Sequence, residues 1–394
     1  MTTFSFPLVS DLTLGEKIGQ MLCLGWSGDG AYLAVNEQAR ECVVDLMAGS
    51  MIVMGRNVLA PGANTLDIRG VRAMLTELQG LAPRLPLLIA TDQEGGRVAR
   101  FGTPPFTLLP TAEAIGRTGD PALAQAAARA TAMELAAVGV NWNFAPDADV
   151  NSNPLNPVIG DRSFGTAPAM VARMAAAQVR GYAEGGVLSS AKHFPGHGDT
   201  HLDSHLALPT VEASLSELEE RELIPFQAVI AAEAPTLMTA HIQFPKLDAS
   251  GVPATLSHAI LTDLLRVHMG FTGLLVTDCL QMKAVADRWG TARAAVLAAK
   301  AGADVLLVCH TRERQHETRD ALLAAVQSGE LPLARVEEAA GRVLAAKRLA
   351  FARPQPPLSV IGAVEHRRIA EAIRAASGAA TISGPTTLGE SAPI

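Results

Sequence analysis

Val187-Leu188-Ser189-Ser190-Ala191-Lys192-His193-Phe194-Pro195-Gly196-His197-Gly198-Asp199-Thr200-His201-Leu202-Asp203-Ser204-His205 joins an apolar, strand-like run to a polar loop. The stretch holds four of the chain's ten histidines. A loop this polar, interrupted by Pro195, Gly196 and Gly198, is expected at a surface or in a cleft and not in the core. Asp203 and His205 stand two apart, close enough for a carboxylate to orient an imidazole as a proton donor and acceptor near neutral pH. The plainer alternative is a solvated loop with scattered histidines. It explains a single histidine better than it explains Lys-His, Gly-His-Gly-Asp and Asp-Ser-His in one loop.

Outward from this stretch, apolar runs alternate with helical patterns. The spacing predicts strands at Gln20–Leu24, Met51–Met54, Leu87–Thr91, Val140–Phe144, Val187–Ala191, Leu237–Ala240, Gly273–Thr277 and Asp304–Val308. Several are continuously apolar, as parallel strands covered on both faces are. Helices are expected over Ile68–Leu78, Pro121–Val138, Ala167–Glu184, Ser214–Ala232, Ser257–His268 and Gly290–Ala301. Eight strand-helix units predict an α/β fold, a (β/α)8 TIM barrel. A doubly wound open sheet is the alternative, but no G-x-G-x-x-G run follows an early strand. In a barrel, functional residues gather just past the strands. Here Asp92-Gln93-Glu94-Gly95-Gly96-Arg97, Pro146-Asp147-Ala148-Asp149, Lys192-His193, His241, Asp278 and His310 follow successive predicted strands.

Two motifs carry a family resemblance. Lys192-His193-Phe194-Pro195-Gly196-His197-Gly198, a short spacer, and Asp203-Ser204-His205 resemble the signature of glycoside hydrolase family 3, in its bacterial β-N-acetylglucosaminidase branch. Val276-Thr277-Asp278-Cys279-Leu280-Gln281-Met282 resembles the segment in which that family carries its nucleophile, with Cys279 where an acidic or small residue is common. The resemblance covers roughly Leu12 to Ala350. It implies Asp278 as nucleophile, His205 as proton donor and then base, and Asp203 as the group that holds the imidazole. It also implies sugar contacts from Asp92, Arg100 (with Arg97 nearby), Arg162, Lys192 and His193. Without the resemblance, Asp278 could be a helix cap, and the charged set a salt-bridge network bracing the barrel mouth.

The implied activity is retaining hydrolysis of terminal, non-reducing β-linked GlcNAc through a covalent glycosyl-enzyme, with muropeptide cell-wall fragments as substrate. No cofactor is expected. The histidine-rich loop could hold zinc, but the first strand ends Leu24-Gly25-Trp26 without a histidine, so no metal is assigned. His241 and His310 are expected to be structural. Phosphorolysis, a broader β-glucosidase activity and non-catalytic muropeptide binding are the alternatives. Intact Asp203, His205 and Asp278 argue against the last.

The chain has 394 residues, 48% hydrophobic and 18% charged, with net charge −7. That is ample for a large core, and it carries no basic run suited to nucleic acid. No secretory pattern opens it and no apolar run reaches membrane-spanning length. The four cysteines show no C-x-x-C spacing, which predicts buried free thiols and a cytoplasmic setting. Oligomeric state is left open. Residues 1–350 are expected to form the catalytic barrel. Residues 351–394 add a break at Pro354, Pro356 and Pro357, a helix near 359–376 and a mobile tail, too short for a complete second domain.

Overall fold

The structure is a computed structural model that describes residues 6–27, 32–82, 84–204 and 207–378. Eight parallel strands form its centre: β1 (Leu22–Leu24), β2 (Ser50–Ile52), β3 (Leu88–Thr91), β4 (Trp142–Asn143), β5 (Leu188–Phe194), β6 (Thr236–Thr239), β7 (Leu274–Val276) and β8 (Leu306–Val308). Each pairs with its sequence neighbour, and β8 returns to β1 in the register Leu22↔Leu306, Cys23↔Leu307, Leu24↔Val308. A parallel bridge between Val276 and Val305 joins β7 to β8. The sheet is therefore a (β/α)8 barrel, as the alternation predicts, and not an open sheet.

Several strands read as continuous apolar runs because both their faces are covered. Cys23, Ile52, Leu88, Ala90, Trp142, Leu188, Met238, Leu274 and Leu307 meet inside the barrel. Their neighbours Leu22, Leu24, Met51, Ile89, Leu237, Leu275, Leu306 and Val308 face the surrounding helices. The foot of the barrel is filled by Val343, Ala346 and Ala350 from the helix Leu333–Ala350. In the outer layer, helices Pro121–Val138 and Pro168–Gly185 approach so closely that a Cβ on Gly181 would lie 2.2 Å from the Gln125 carbonyl oxygen. Local signals fix the first of these helices: Asp120 caps its amino end, Pro121 occupies the first turn, and Gly139 (φ 108°) ends it.

Three details differ from the sequence expectation. The fifth strand continues through Phe194, so Lys192 and His193 lie within the strand and not after it. The helix expected over Ser214–Ala232 is two helices, Leu215–Glu220 and Leu223–Ala231. Pro225 has no N–H for the Arg221 carbonyl four residues back, and Arg221 leaves helical geometry (φ −136°, ψ −78°) to pair with Asp199 at 2.7 Å. The last helix runs Val364–Ser377, starting later than expected because Leu358–Val360 forms a separate tight turn. Its His366 Nδ1 and the Gly362 N–H both reach the buried Glu134 carboxylate, at 2.8 and 3.0 Å, which ties the segment to the barrel's outer layer. The tail expected to be mobile, from residue 379 on, lies outside the described residues. Among the described residues no helix is long and apolar enough to cross a membrane.

Candidate active site

A cavity of 420 Å³ opens at the carboxyl ends of the strands. Asp92, Arg100, Arg162, Lys192, His193, Asp203 and Asp278 all line it, so residues spread over nearly two hundred positions converge there. His205, the expected proton donor, lies outside the described residues.

On one side of the cavity the charges are linked. Lys192 Nζ donates to Asp92 Oδ1 at 2.9 Å and to Glu94 Oε1 at 2.6 Å. Arg162 grips Glu94 in a fork, with Nε and Nη2 each 2.9 Å from a carboxylate oxygen. Arg100 reaches Asp92 at 3.4 Å. Burial by itself would lift the Asp92 and Glu94 carboxyls, but the cations override it: Lys192 and Arg100 hold Asp92 below its ordinary value, and Arg162 and Lys192 do the same for Glu94. In return Asp92 and Glu94 keep the Lys192 ammonium charged against its burial. The bracing-network reading and the sugar-contact reading are thus compatible, since residues that pair with each other also face the cavity.

A second carboxylate pair lies beneath. Asp149 Oδ2 accepts from His193 Nδ1 at 2.7 Å, and its other oxygen accepts the His197 N–H at 2.6 Å. With Nδ1 carrying its proton, His193 Nε2 receives Arg162 Nη2 at 3.3 Å. Asp147 is different. Burial and then the neighbouring Asp149 charge push its carboxyl well up, and its Oδ2 stands 3.8 Å from Arg162, beyond hydrogen-bond reach. Asp147, Asp149 and His193 lie close enough together to hold a cation, but Asp149 already has a donor on each oxygen.

The loop after β5 corrects one expectation. Its first half is buried in spite of its polarity, with His197, Thr200 and Ser204 at 2%, 0% and 2% exposure. Each polar group has a partner: the His197 ring bridges Thr200 Oγ1 and Ser204 Oγ, both at 3.0 Å, and Asn153 and Asn156 hold the Thr200 and His197 carbonyls. Burial, and then the neighbouring His193, bring His197 down to about 4. Gly198 is pressed so close to Val150 that a Cβ would lie 1.6 Å from its carbonyl oxygen. Asp203 emerges from this fixed base onto the cavity wall.

Opposite, Asp278 follows β7, and its Oδ1 accepts the Cys279 N–H at 2.7 Å. His241 secures that turn, with Nε2 3.0 Å from the Cys279 carbonyl oxygen and Nδ1 2.8 Å from Thr255 Oγ1. The sequence reading left Glu94, Asp149 and Cys309 out of the site. The available signal was a repeated spacing: Asp92/Glu94 and Asp147/Asp149 each set two carboxylates on alternate residues past a strand.

Residues 13–346 match the model for the glycosyl hydrolase family 3 N terminal domain. The chain is similar to a beta-hexosaminidase A from Pseudoalteromonas piscicida, 39% identical over 325 residues, which are 75% of this chain and 54% of that protein. It therefore spans about half the length of this relative. A solved family 3 beta-N-acetylglucosaminidase from Paenibacillus sp. str. FPU-7 superimposes with a TM-score of 0.86 at 40% identity, covering 93% of this chain and 69% of that one. A solved beta-glucoside phosphorylase superimposes with a TM-score of 0.80 at 29% identity, over 93% of this chain and 65% of that one.

Proposed function

The chain belongs to glycosyl hydrolase family 3, and on that premise we propose that it is a retaining exo-β-N-acetylglucosaminidase. The observation that carries the proposal is one cavity lined by Asp278 from β7, Asp203 from the β5 loop and the Asp92–Lys192–Glu94–Arg162 set. Similarity to a beta-hexosaminidase and a beta-N-acetylglucosaminidase supports the sugar class.

Asp278 attacks the anomeric carbon and forms a glycosyl ester while the leaving oxygen takes a proton from His205. Asp203 orients the imidazole and stabilises its charged form. Water then enters, His205 removes its proton, and the ester is cleaved with net retention. Asp92 accepts hydrogen bonds from the sugar hydroxyls. Lys192 and Arg100 keep it ionised for that purpose, and Arg162 with His193 completes the polar wall. In this reading residues 1–350 are the catalytic unit, and Gly362 and His366 tie the helix Val364–Ser377 to its outer layer. The natural substrate is a GlcNAc-(1,6-anhydro)MurNAc fragment of the cell wall, met in the cytoplasm.

The test is the initial rate of this chain on aryl β-GlcNAc and aryl β-glucoside, with Asp278→Ala as control and with phosphate present or absent. Turnover of the GlcNAc substrate alone, lost in the variant, supports the proposal. Turnover of the glucoside moves the chain to a broader β-glucosidase reading. A rate that requires phosphate and yields a sugar phosphate supports phosphorolysis, the reading that the phosphorylase likeness favours. Absence of turnover on both substrates refutes the hydrolase.

A further inference from the structure

β7 and β8 end side by side, and each delivers a cysteine to the cavity wall: Cys279 past Val276, and Cys309 directly after Val308. His310 follows Cys309. The two sulfurs and an imidazole nitrogen all lie within 4.8 Å of one another. Ligands around one tetrahedral zinc stand about 3.3–3.8 Å apart, so small side-chain movements bring these three into coordination. Both thiols are nearly buried, at 4% and 3% exposure, yet both line the cavity, so an ion can reach them through the barrel mouth.

The histidine is the second, independent sign. Its backbone is anchored: the N–H donates to Gln281 Oε1 at 2.8 Å and the carbonyl accepts from Gln38 at 2.9 Å. Its Nε2 is buried and has no hydrogen-bond partner among the described residues. A buried polar atom in that condition is costly, and a cation would satisfy it.

We infer that Cys279, Cys309 and His310 form a site for a soft divalent cation of the zinc and cadmium class, and that its occupancy inhibits the adjoining Asp278. Two thiolates with an imidazole are a donor set that selects such ions over magnesium or calcium. On binding, two S–H bonds break, two metal–sulfur bonds form, and two protons pass to solvent. A dication beside Asp278 then attracts the carboxylate that must attack the sugar, and the ion narrows the cavity from the β7–β8 side. Binding itself does not depend on the proposed activity; the inhibition rests on that reading.

The test is titration of the full chain with Cd2+, following the ultraviolet thiolate-to-cadmium charge-transfer band and the protons released. One Cd2+ per chain with about two protons released is expected. Cys309→Ser should abolish the two-thiolate band and weaken binding roughly 100-fold or more, and His310→Gln should keep the band and weaken binding roughly 10–100-fold, the range seen when even supporting groups of a metal site are lost. No band in the native chain, or unchanged affinity in either variant with a native circular dichroism spectrum, overturns the site. His310→Gln keeps the test open if the cysteine variant misfolds. In parallel, Zn2+ should slow aryl β-GlcNAc hydrolysis with the midpoint of its binding curve, reversed by chelator. Binding with an unchanged rate overturns the inhibition. A chain that binds Cd2+ but turns over no sugar without metal refutes the proposed activity and leaves the site standing.

Discussion

The two ends of the barrel both bury charges, and they bury them differently. At the mouth, Asp92 and Glu94 are shared among Lys192, Arg162 and Arg100 around a cavity. At the foot, the fully buried Asp304 is held by Arg266 and Arg335, each at 2.6 Å, by Arg342 at 3.1 Å, and by the Leu275 N–H at 2.9 Å. In composition the two clusters look alike, with carboxylates and guanidiniums beside strand ends. The foot is closed by a helix and its charges point at each other. The mouth leaves faces of its charged groups open to the cavity. Buried charge alone therefore does not mark a functional site; it does so where the paired groups also border a space that a ligand can fill.

Substitutions at the two ends should separate rate from stability. Asp278→Ala should reduce kcat/KM by roughly 10⁴-fold or more while moving the urea midpoint far less than Asp304→Ala does, because it removes the attacking group and not the hub of a buried charge cluster. An unchanged rate would remove Asp278 from the chemistry and undo the contrast. Asp304→Ala should do the opposite and cost about 3–5 kcal/mol in urea unfolding, since it leaves three guanidiniums around a vacated carboxylate. The folded fraction should keep its native kcat/KM. Between these extremes, Glu94→Gln should affect both quantities. It leaves Lys192 and Arg162 short of a partner, lowers stability by about 2–3 kcal/mol and raises KM. If only stability moves, the Glu94 set is a brace like the one at the foot.

The foot also contains a charge without a counter-ion among the described residues. Lys347 is fully buried and donates to Gln20, and burial draws its ammonium down to about 7. Its folded value lies below its unfolded value, so the unfolded chain binds more protons between about pH 7 and 10.5. Stability held back by this lysine is therefore recovered as pH rises through that window, and the penalty is complete below it. Lys347→Met should stabilise the chain by about 2 kcal/mol at pH 7, with the gain fading toward pH 10. Urea midpoints at several pH values check this, and a pH-independent difference would refute it. The smallest effect is expected at the rim. Arg97→Ala breaks a pair with Asp161 that is about a third exposed on both sides, and removes the donor to the Val158 and Ile159 carbonyls, and should cost about 1 kcal/mol.

Much of the architecture was legible in the chain. Apolar runs marked all eight strands, several of them continuous because both faces are buried, and the helix expected over Pro121–Val138 has those bounds. The errors fell where a side chain made a non-local contact. Arg221 turns toward Asp199 and splits a helix, and His197 and Thr200 are buried because Asn153, Asn156 and Asp149, from a different connection, satisfy their backbone groups. Within the site, Asp92, Arg162, Lys192 and Asp278 stood out by position and motif. Glu94 and Asp149 did not, because their importance is a matter of what they touch.

The sequence by itself determined the barrel, the order of its strands and the set of polar residues at their ends. Those depend on local burial patterns and on spacing along the chain, both of which a linear string records. Tertiary structure alone decided which charges pair. It made Glu94 the shared partner of Lys192 and Arg162, gave Asp149 both His193 and His197, and brought Cys279 together with Cys309 and His310. Such pairings depend on distance and on exclusion of water between residues far apart in sequence, and only barrel closure supplies both.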